Sequence, residues 1–181
     1  MGPSSNIKNN ILILYLIYKM DLPLPLPQIE IVALEYMDYF ALQDSLHGLL
    51  DIRYLEAHKE NNTTRYIITE EGVQSLDYFE NLLPQAIRKK INQYVLDNRK
   101  SIKRDYETTA DFFKNLNSDD FIVKCALYED DVMLMEINLS VVSKEQARLI
   151  CDNWKSNITK LYGSIIENLI DESVKKPISD F

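Results

Sequence analysis

Glycine, cysteine and histidine are rare in this chain, with four, two and two residues among 181. So few glycines leave no phosphate-cradling loop and no nucleophile elbow. His47 and His58 have no Cys or carboxylate at ligand spacing, so no metal centre is expected. Cys125 and Cys151 cannot make a disulfide framework. Both sit in apolar surroundings, where a free Cys is a small buried hydrophobe, and both fit a reducing cytoplasm. Cys125, between Lys124 and Ala126 in a strand-like run, is a poor nucleophile candidate. The most apolar run, Ile11 to Ile17, is too short to cross a bilayer and lacks the cleavage site of a signal peptide. Repeats and low-complexity segments are missing as well. Without a catalytic constellation the chain is not expected to be an enzyme, and no cofactor is expected.

What remains is a chain of 46% hydrophobic and 27% charged residues, enough for one large core or two small ones. Apolar residues at helical spacing predict a first helix over residues 6–20, hydrophobic around most of its circumference and therefore central. The prolines at 23, 25 and 27 end it, and Pro27 can open a second helix over 27–37. A third follows over 41–52, with Leu42, Leu46, Leu49 and Leu50 inward. Two strand-like runs, Tyr54 to His58 and Arg65 to Thr69, flank the polar stretch 59–63 and predict a hairpin. Thr69 then caps a further helix. Three helices, a hairpin and a closing helix in this order predict a winged helix-turn-helix domain over residues 6–83.

Residues 84–104 read as a connector helix with the apolar stripe Ile87, Ile91, Tyr94, Val95 and Ile102. From residue 105 to 181 the pattern changes. Three strands are expected over 106–113, 121–128 and 132–139, with Asp130-Asp131 as a tight turn. Ser143, with Gln146 three residues on, caps a long helix. The fold class is thus α+β: a winged helix, a connector helix, then a small antiparallel three-stranded sheet with a long C-terminal helix.

Charge is unevenly distributed. The formal net charge is -8, composed of -7 over residues 1–83, +6 over 84–104 and -7 over 105–181. Nucleic-acid affinity comes largely from Lys and Arg on phosphates, and the first segment offers only Lys8, Lys19, Arg53, Lys59 and Arg65. The basic face from Arg88 to Arg104 can reach DNA or pair with the chain's own acidic surfaces, and those surfaces favour pairing.

Ile11-Leu12-Ile13-Leu14-Tyr15-Leu16, Asp21-Leu22-Pro23-Leu24, Tyr36-Met37-Asp38-Tyr39-Phe40-Ala41-Leu42-Gln43 and Arg65-Tyr66-Ile67-Ile68-Thr69-Glu70-Glu71-Gly72 resemble an uncharacterised family of Gram-positive bacterial winged-helix proteins, domain of unknown function 4364. The Tyr-x-Ile-Thr-x-x-Gly segment is also similar to PadR-like and MarR-like regulators. The resemblance covers most of the chain. It implies a dimeric transcriptional regulator and supplies no catalytic residue and no effector. The chain departs from DNA-binding relatives in its third helix, which has no Lys or Arg before Arg53.

The candidate DNA contacts follow from that layout. Tyr39, Gln43, Asp44 and His47 are candidates on the third helix, where Gln43 can pair with adenine, Asp44 with cytosine and His47 with guanine or phosphate. In the plainer reading this is a solvated polar face. His58, Lys59, Asn61, Asn62 and Arg65 are candidates on the wing, where cations position a protein without reading sequence. Trp154, Ile158, Leu161, Tyr162 and Ile165 form a stripe on the last helix. Plain core is the common fate of such a stripe, but a helix this long beside a small three-stranded sheet leaves apolar surface over, which favours a dimer seam. The expected function is a cytoplasmic, homodimeric regulator on double-stranded DNA. The alternative is a winged helix serving as a protein–protein interaction module.

Overall fold

Seven successive residues, Ile11 to Ile17, are each at most 4% exposed in the computed structural model of the protein. They lie in helix α1 (Pro3–Met20), and the rest of the N-terminal unit is built around them. The structure describes residues 3–60, 63–130 and 132–171. Met1 and Gly2, Asn61 and Asn62 of the expected hairpin turn, Asp131 of the expected tight turn and residues 172–181 lie outside the described residues. The chain divides into two units, 1–103 and 104–181.

In the first unit α1 is followed by a two-residue strand β1 (Leu24–Pro25), helix α2 (Leu26–Ala33) and helix α3 (Tyr39–Asp51). Strands β2 (Leu55–Glu60) and β3 (Thr63–Ile68), helix α4 (Glu70–Phe79) and a 3-10 turn, Glu80–Leu82, come next. Helix α5 (Gln85–Glu107) carries Ile91, Val95 and Ile102 into the same core as α1. The expected separate connector over 84–104 is therefore part of the N-terminal packing.

Each apolar side chain of the α1 run contributes roughly 1.5–3 kcal/mol relative to exposure. Polar contacts then fix α5 against the first two helices. The Tyr15 hydroxyl donates to Asn92 Oδ1 at 3.0 Å. The Tyr94 hydroxyl donates to Gln28 Oε1 on α2. Arg99 donates from Nε to the Met20 carbonyl at 2.8 Å and from Nη2 to Asp21 Oδ2 at 3.0 Å. A cation at the carboxyl end of a helix satisfies an orphan carbonyl and suits the helix dipole. Asp21 itself turns the chain with φ 53°.

Strand β1 was not expected, because a Pro-rich stretch reads as a breaker. Leu24 and Pro25 nonetheless pair antiparallel with Tyr66 and Arg65, giving the strand order β1-β3-β2. A proline is tolerated there because the strand is at the edge. Helix α2 stops at Ala33, earlier than expected, and α3 begins at Tyr39, earlier than expected, once Asp38 accepts from the Ala41 amide at 2.8 Å.

The junctions before β2 and after β3 lock together. The Thr69 hydroxyl donates to the Arg53 carbonyl at 2.7 Å and accepts from the Gly72 amide at 3.1 Å, capping α4. The Thr69 amide donates to the Tyr54 carbonyl at 3.1 Å. A Cβ on Gly72 would lie 2.2 Å from that same Tyr54 oxygen.

The second unit is an antiparallel sheet in the order β4-β5-β6, made of β4 (Thr108–Lys114), β5 (Phe121–Glu129) and β6 (Val132–Val141). Helix α6 (Lys144–Ile170) covers one face, its start capped by Ser143 accepting from the Gln146 amide at 3.2 Å. Val123, Cys125, Ala147, Cys151, Trp154 and Ile158 form its core. The expected α+β class, with a small antiparallel sheet and a long last helix, stands. Burial pushes the Cys125 thiol up to about 11, with Cys151 adding to the shift and Lys155 opposing it. Burial also raises Cys151.

Two predictions follow from this packing. Gly72→Ala should lower stability by about 1–3 kcal/mol, because backbone meets the new methyl. Gly48→Ala, in α3 with open space around its Cβ position, should raise stability by about 0.5–1 kcal/mol. Urea titration of the two variants decides it, and equal midpoints would contradict the crowding at Gly72. Thiol labelling at pH 8 should be slow for both cysteines in the native protein and fast in urea, because the reactive thiolate is scarce below a raised pKa.

Candidate nucleic-acid interface

An exposed stripe runs along α3 at helical spacing: Phe40, Asp44, His47 and Asp51. Ala41, Leu42, Ser45, Leu46 and Leu49 face inward, so burial of one side is what presents the other. Tyr39 is 50% exposed and packs edge-on against Phe40, which is 79% exposed. Gln43 is half-buried at the stripe's margin, and its side-chain Nε2 has no hydrogen-bond partner among the described residues. The stripe carries two carboxylates and no Lys or Arg.

The β2–β3 hairpin supplies the second part. His58 lies opposite Arg65, and Lys59 opposite Thr64. The His58 imidazole is 3.5 Å from the Glu56 carboxylate. Lys59 is exposed. Arg65 is committed to the fold, since its Nη1 donates to the Pro23 carbonyl at 3.2 Å and ties the hairpin to the loop before α2. Asn61 and Asn62 lie outside the described residues. Tyr66, next along β3, is buried, and burial first, then Glu30 and Tyr39, raise its pKa, keeping the phenol neutral.

Three of the basic residues of α5 are answered from within the first unit. Arg88 pairs with Glu80 at 3.0 Å, Lys90 with Glu35 at 3.5 Å and Arg99 with Asp21 at 3.0 Å. Pairs this exposed contribute roughly 0–1 kcal/mol each. Their main effect is to offset part of the positive field that the sequence concentrates on one segment.

On α6 the expected seam splits. Trp154 and Ile158 are 4% and 5% exposed, consumed by the core of the second unit, and Trp154 Nε1 donates to the Ala126 carbonyl at 3.4 Å. Neither can serve as a contact surface. Leu161 is exposed, and Tyr162 and Ile165 are half-buried. Phe40 was missed as a surface residue, because it sits where the sequence reads as a break between helices. Ile31 in α2 and Leu34 just after it are exposed as well and were also missed, although both lie within the expected second helix.

Among the described residues no group of three or more His, Cys, Asp or Glu is placed to hold a metal ion. No described helix is long and apolar enough to cross a membrane. The geometry defines a two-unit α+β protein that offers a helix stripe and a hairpin as surfaces. The chain belongs to the family described as a domain of unknown function (DUF4364), which it matches over residues 9–169. No curated protein and no solved structure matches it.

The different duties of the two hairpin cations can be measured. Arg65→Ala should cost about 1 kcal/mol through its lost backbone hydrogen bond. Lys59→Ala should stay within about 0.5 kcal/mol of the parent. Thermal melts followed by circular dichroism separate them, and equal losses would mean that Arg65 has no structural duty.

Proposed function

We propose that this protein is a DNA-binding transcriptional regulator of winged-helix type that acts as a homodimer in the cytoplasm. The observation that supports this most is the order α1, β1, α2, α3, β2, β3 with β1 and β2 flanking β3, which is the arrangement of strands and helices in a winged helix. In this reading α3 enters the major groove, and Gln43, Asp44 and His47 meet base edges. Lys59 in the wing meets a phosphate and fixes position without reading sequence. Two copies then favour a palindromic site with half-sites about 34–36 Å apart.

A second reading draws on a specific feature. Phe40, Tyr39, Ile31 and Leu34 are exposed apolar residues on α2 and the start of α3, and the α3 stripe is acidic. A protein partner would cover such a surface, and the same scaffold serves both uses.

Fluorescence anisotropy with a labelled fragment from just upstream of the coding region, across a salt series with unrelated competitor DNA, separates the two. The regulator reading expects binding that resists competitor and weakens with salt. Lys59→Ala should then reduce the salt slope by about 1, and Gln43→Ala should cost about 1–3 kcal/mol of discrimination at one base pair. A folded protein that fails to bind at low salt sinks the regulator reading and leaves the partner-docking one.

A further inference from the structure

We propose that β6 is the dimer seam. It pairs antiparallel with β6 of a second copy about a two-fold axis at Asn138, merging two three-stranded sheets into one of six strands. The inference rests on the homodimer reading above for the need of a second copy, and on the strand itself for its place.

Strand β6 is at the edge of its sheet, so one side of its backbone presents donors and acceptors that β5 does not use. Long edges are normally blunted by Lys, Pro or inward charge. The ten residues of β6 contain no Lys, Arg or Pro and a single carboxylate, Glu136. That carboxylate is already held by Asn138 Nδ2 at 2.9 Å and by Lys124 at 3.1 Å, and these contacts lower its pKa, Asn138 foremost. Val132, Met133, Leu134 and Leu139 of the strand are exposed.

The opposite edge is protected. Strand β4 carries Asp111 and Lys114, and Asp111 Oδ1 accepts from the strand's own Phe112 amide at 2.7 Å. Helix α6 packs chiefly over β4 and β5, so the apolar row of β6 is the least covered part of the sheet. Exposed Leu149, Leu161 and Ile166 along α6 add apolar surface to the same unit.

A second copy fits this edge because the strand is complementary to itself. A bulge between Leu127 and Tyr128 interrupts the ladder beside Leu134. The regular stretch is therefore Met135 to Val141, and its midpoint is Asn138. Antiparallel pairing about that point sets Ile137 against the partner's Leu139 and Met135 against the partner's Val141, all on the face that α6 packs against. Glu136 meets the partner's Ser140, and Asn138 meets itself, on the other face. Residues two apart share a face of a strand, so apolar meets apolar and polar meets polar throughout. No like charges stand opposite one another. A two-fold of this kind is isologous and closes at two copies.

Sedimentation equilibrium of the full chain without DNA tests the register. The parent should be a dimer. Ser140→Glu sets two carboxylate pairs against each other across the seam and should raise the dissociation constant roughly three- to thirtyfold. Ser140→Lys pairs opposite charges at the same two places and should lower it or leave it unchanged. Ser140 is exposed and lies opposite Ile122 within its own sheet, so both variants should keep the parent's circular dichroism spectrum and a cooperative melt. Asn138→Cys should give a disulfide-linked dimer under mild oxidant, with the native thiols buried. A parent that is monomeric at its highest soluble concentration overturns the proposal. So does a dimer whose dissociation constant ignores both charge changes and whose Asn138→Cys form does not cross-link, since another surface or another protein's strand would then be the occupant. A dimer that ignores DNA leaves the seam intact and removes the DNA-binding part of that reading alone, and a DNA-binding monomer removes the seam together with the homodimer.

Discussion

The burial of the Ile11 to Ile17 run of α1 on every side is the constraint on which the N-terminal unit depends. A helix that is apolar all round cannot lie on a surface. Helices α2, α3 and α4, strand β3 and the 3-10 turn all pack on it, and α5 adds Ile91, Val95 and Ile102 to the same core. The outer surfaces are what these enclosing elements have left over. The α3 stripe exists because Leu42, Leu46 and Leu49 are turned toward α1. The hairpin is held by β1 and by Arg65 on Pro23, so its geometry is tied to the same centre.

Electrostatics follow a similar logic of internal closure. The sequence places a +6 segment between two of -7, which by itself suggests a polyanion site. The folded chain spends Arg88, Lys90 and Arg99 on Glu80, Glu35 and Asp21. These contacts are individually weak, and together they offset part of the basic stripe. Within the proposed winged-helix segment itself cations are few, with Lys59 exposed on the hairpin and Arg65 tied to Pro23.

Much of this was legible from periodicity and punctuation. Helix α1, the inward face of α3, the β2–β3 hairpin, the Thr69 and Ser143 caps and the three-stranded sheet all follow from spacing and capping chemistry. Strand β1 did not, because two residues carry no period and its prolines argue for a loop. Its pairing with Tyr66 and Arg65 is a tertiary event. The stripe on α5 was visible, but a stripe does not name the core it enters. Of the site residues, Arg65 was read as a free cation because sequence cannot show a backbone carbonyl 42 positions away. Trp154 and Ile158 were read as part of a dimer seam, because a long helix beside a small three-stranded sheet leaves apolar surface over. Sequence cannot show which part of that stripe the sheet consumes, and the structure puts both residues in the core.

The long reach between α1 and its lid has a consequence during synthesis. Roughly 80 residues separate the apolar run from Ile102, which at about 5–20 residues per second is roughly 4–16 s of translation. Throughout that interval the run Ile11 to Ile17 has left the ribosome, or is leaving it, without the full set of side chains that bury it. Transiently exposed apolar surface of this kind is prone to aggregate, and it is during this interval that chaperones that bind apolar segments have access to the run. Slowing translation would lengthen that exposure, and lowering temperature would weaken the attraction between apolar segments while it lasts.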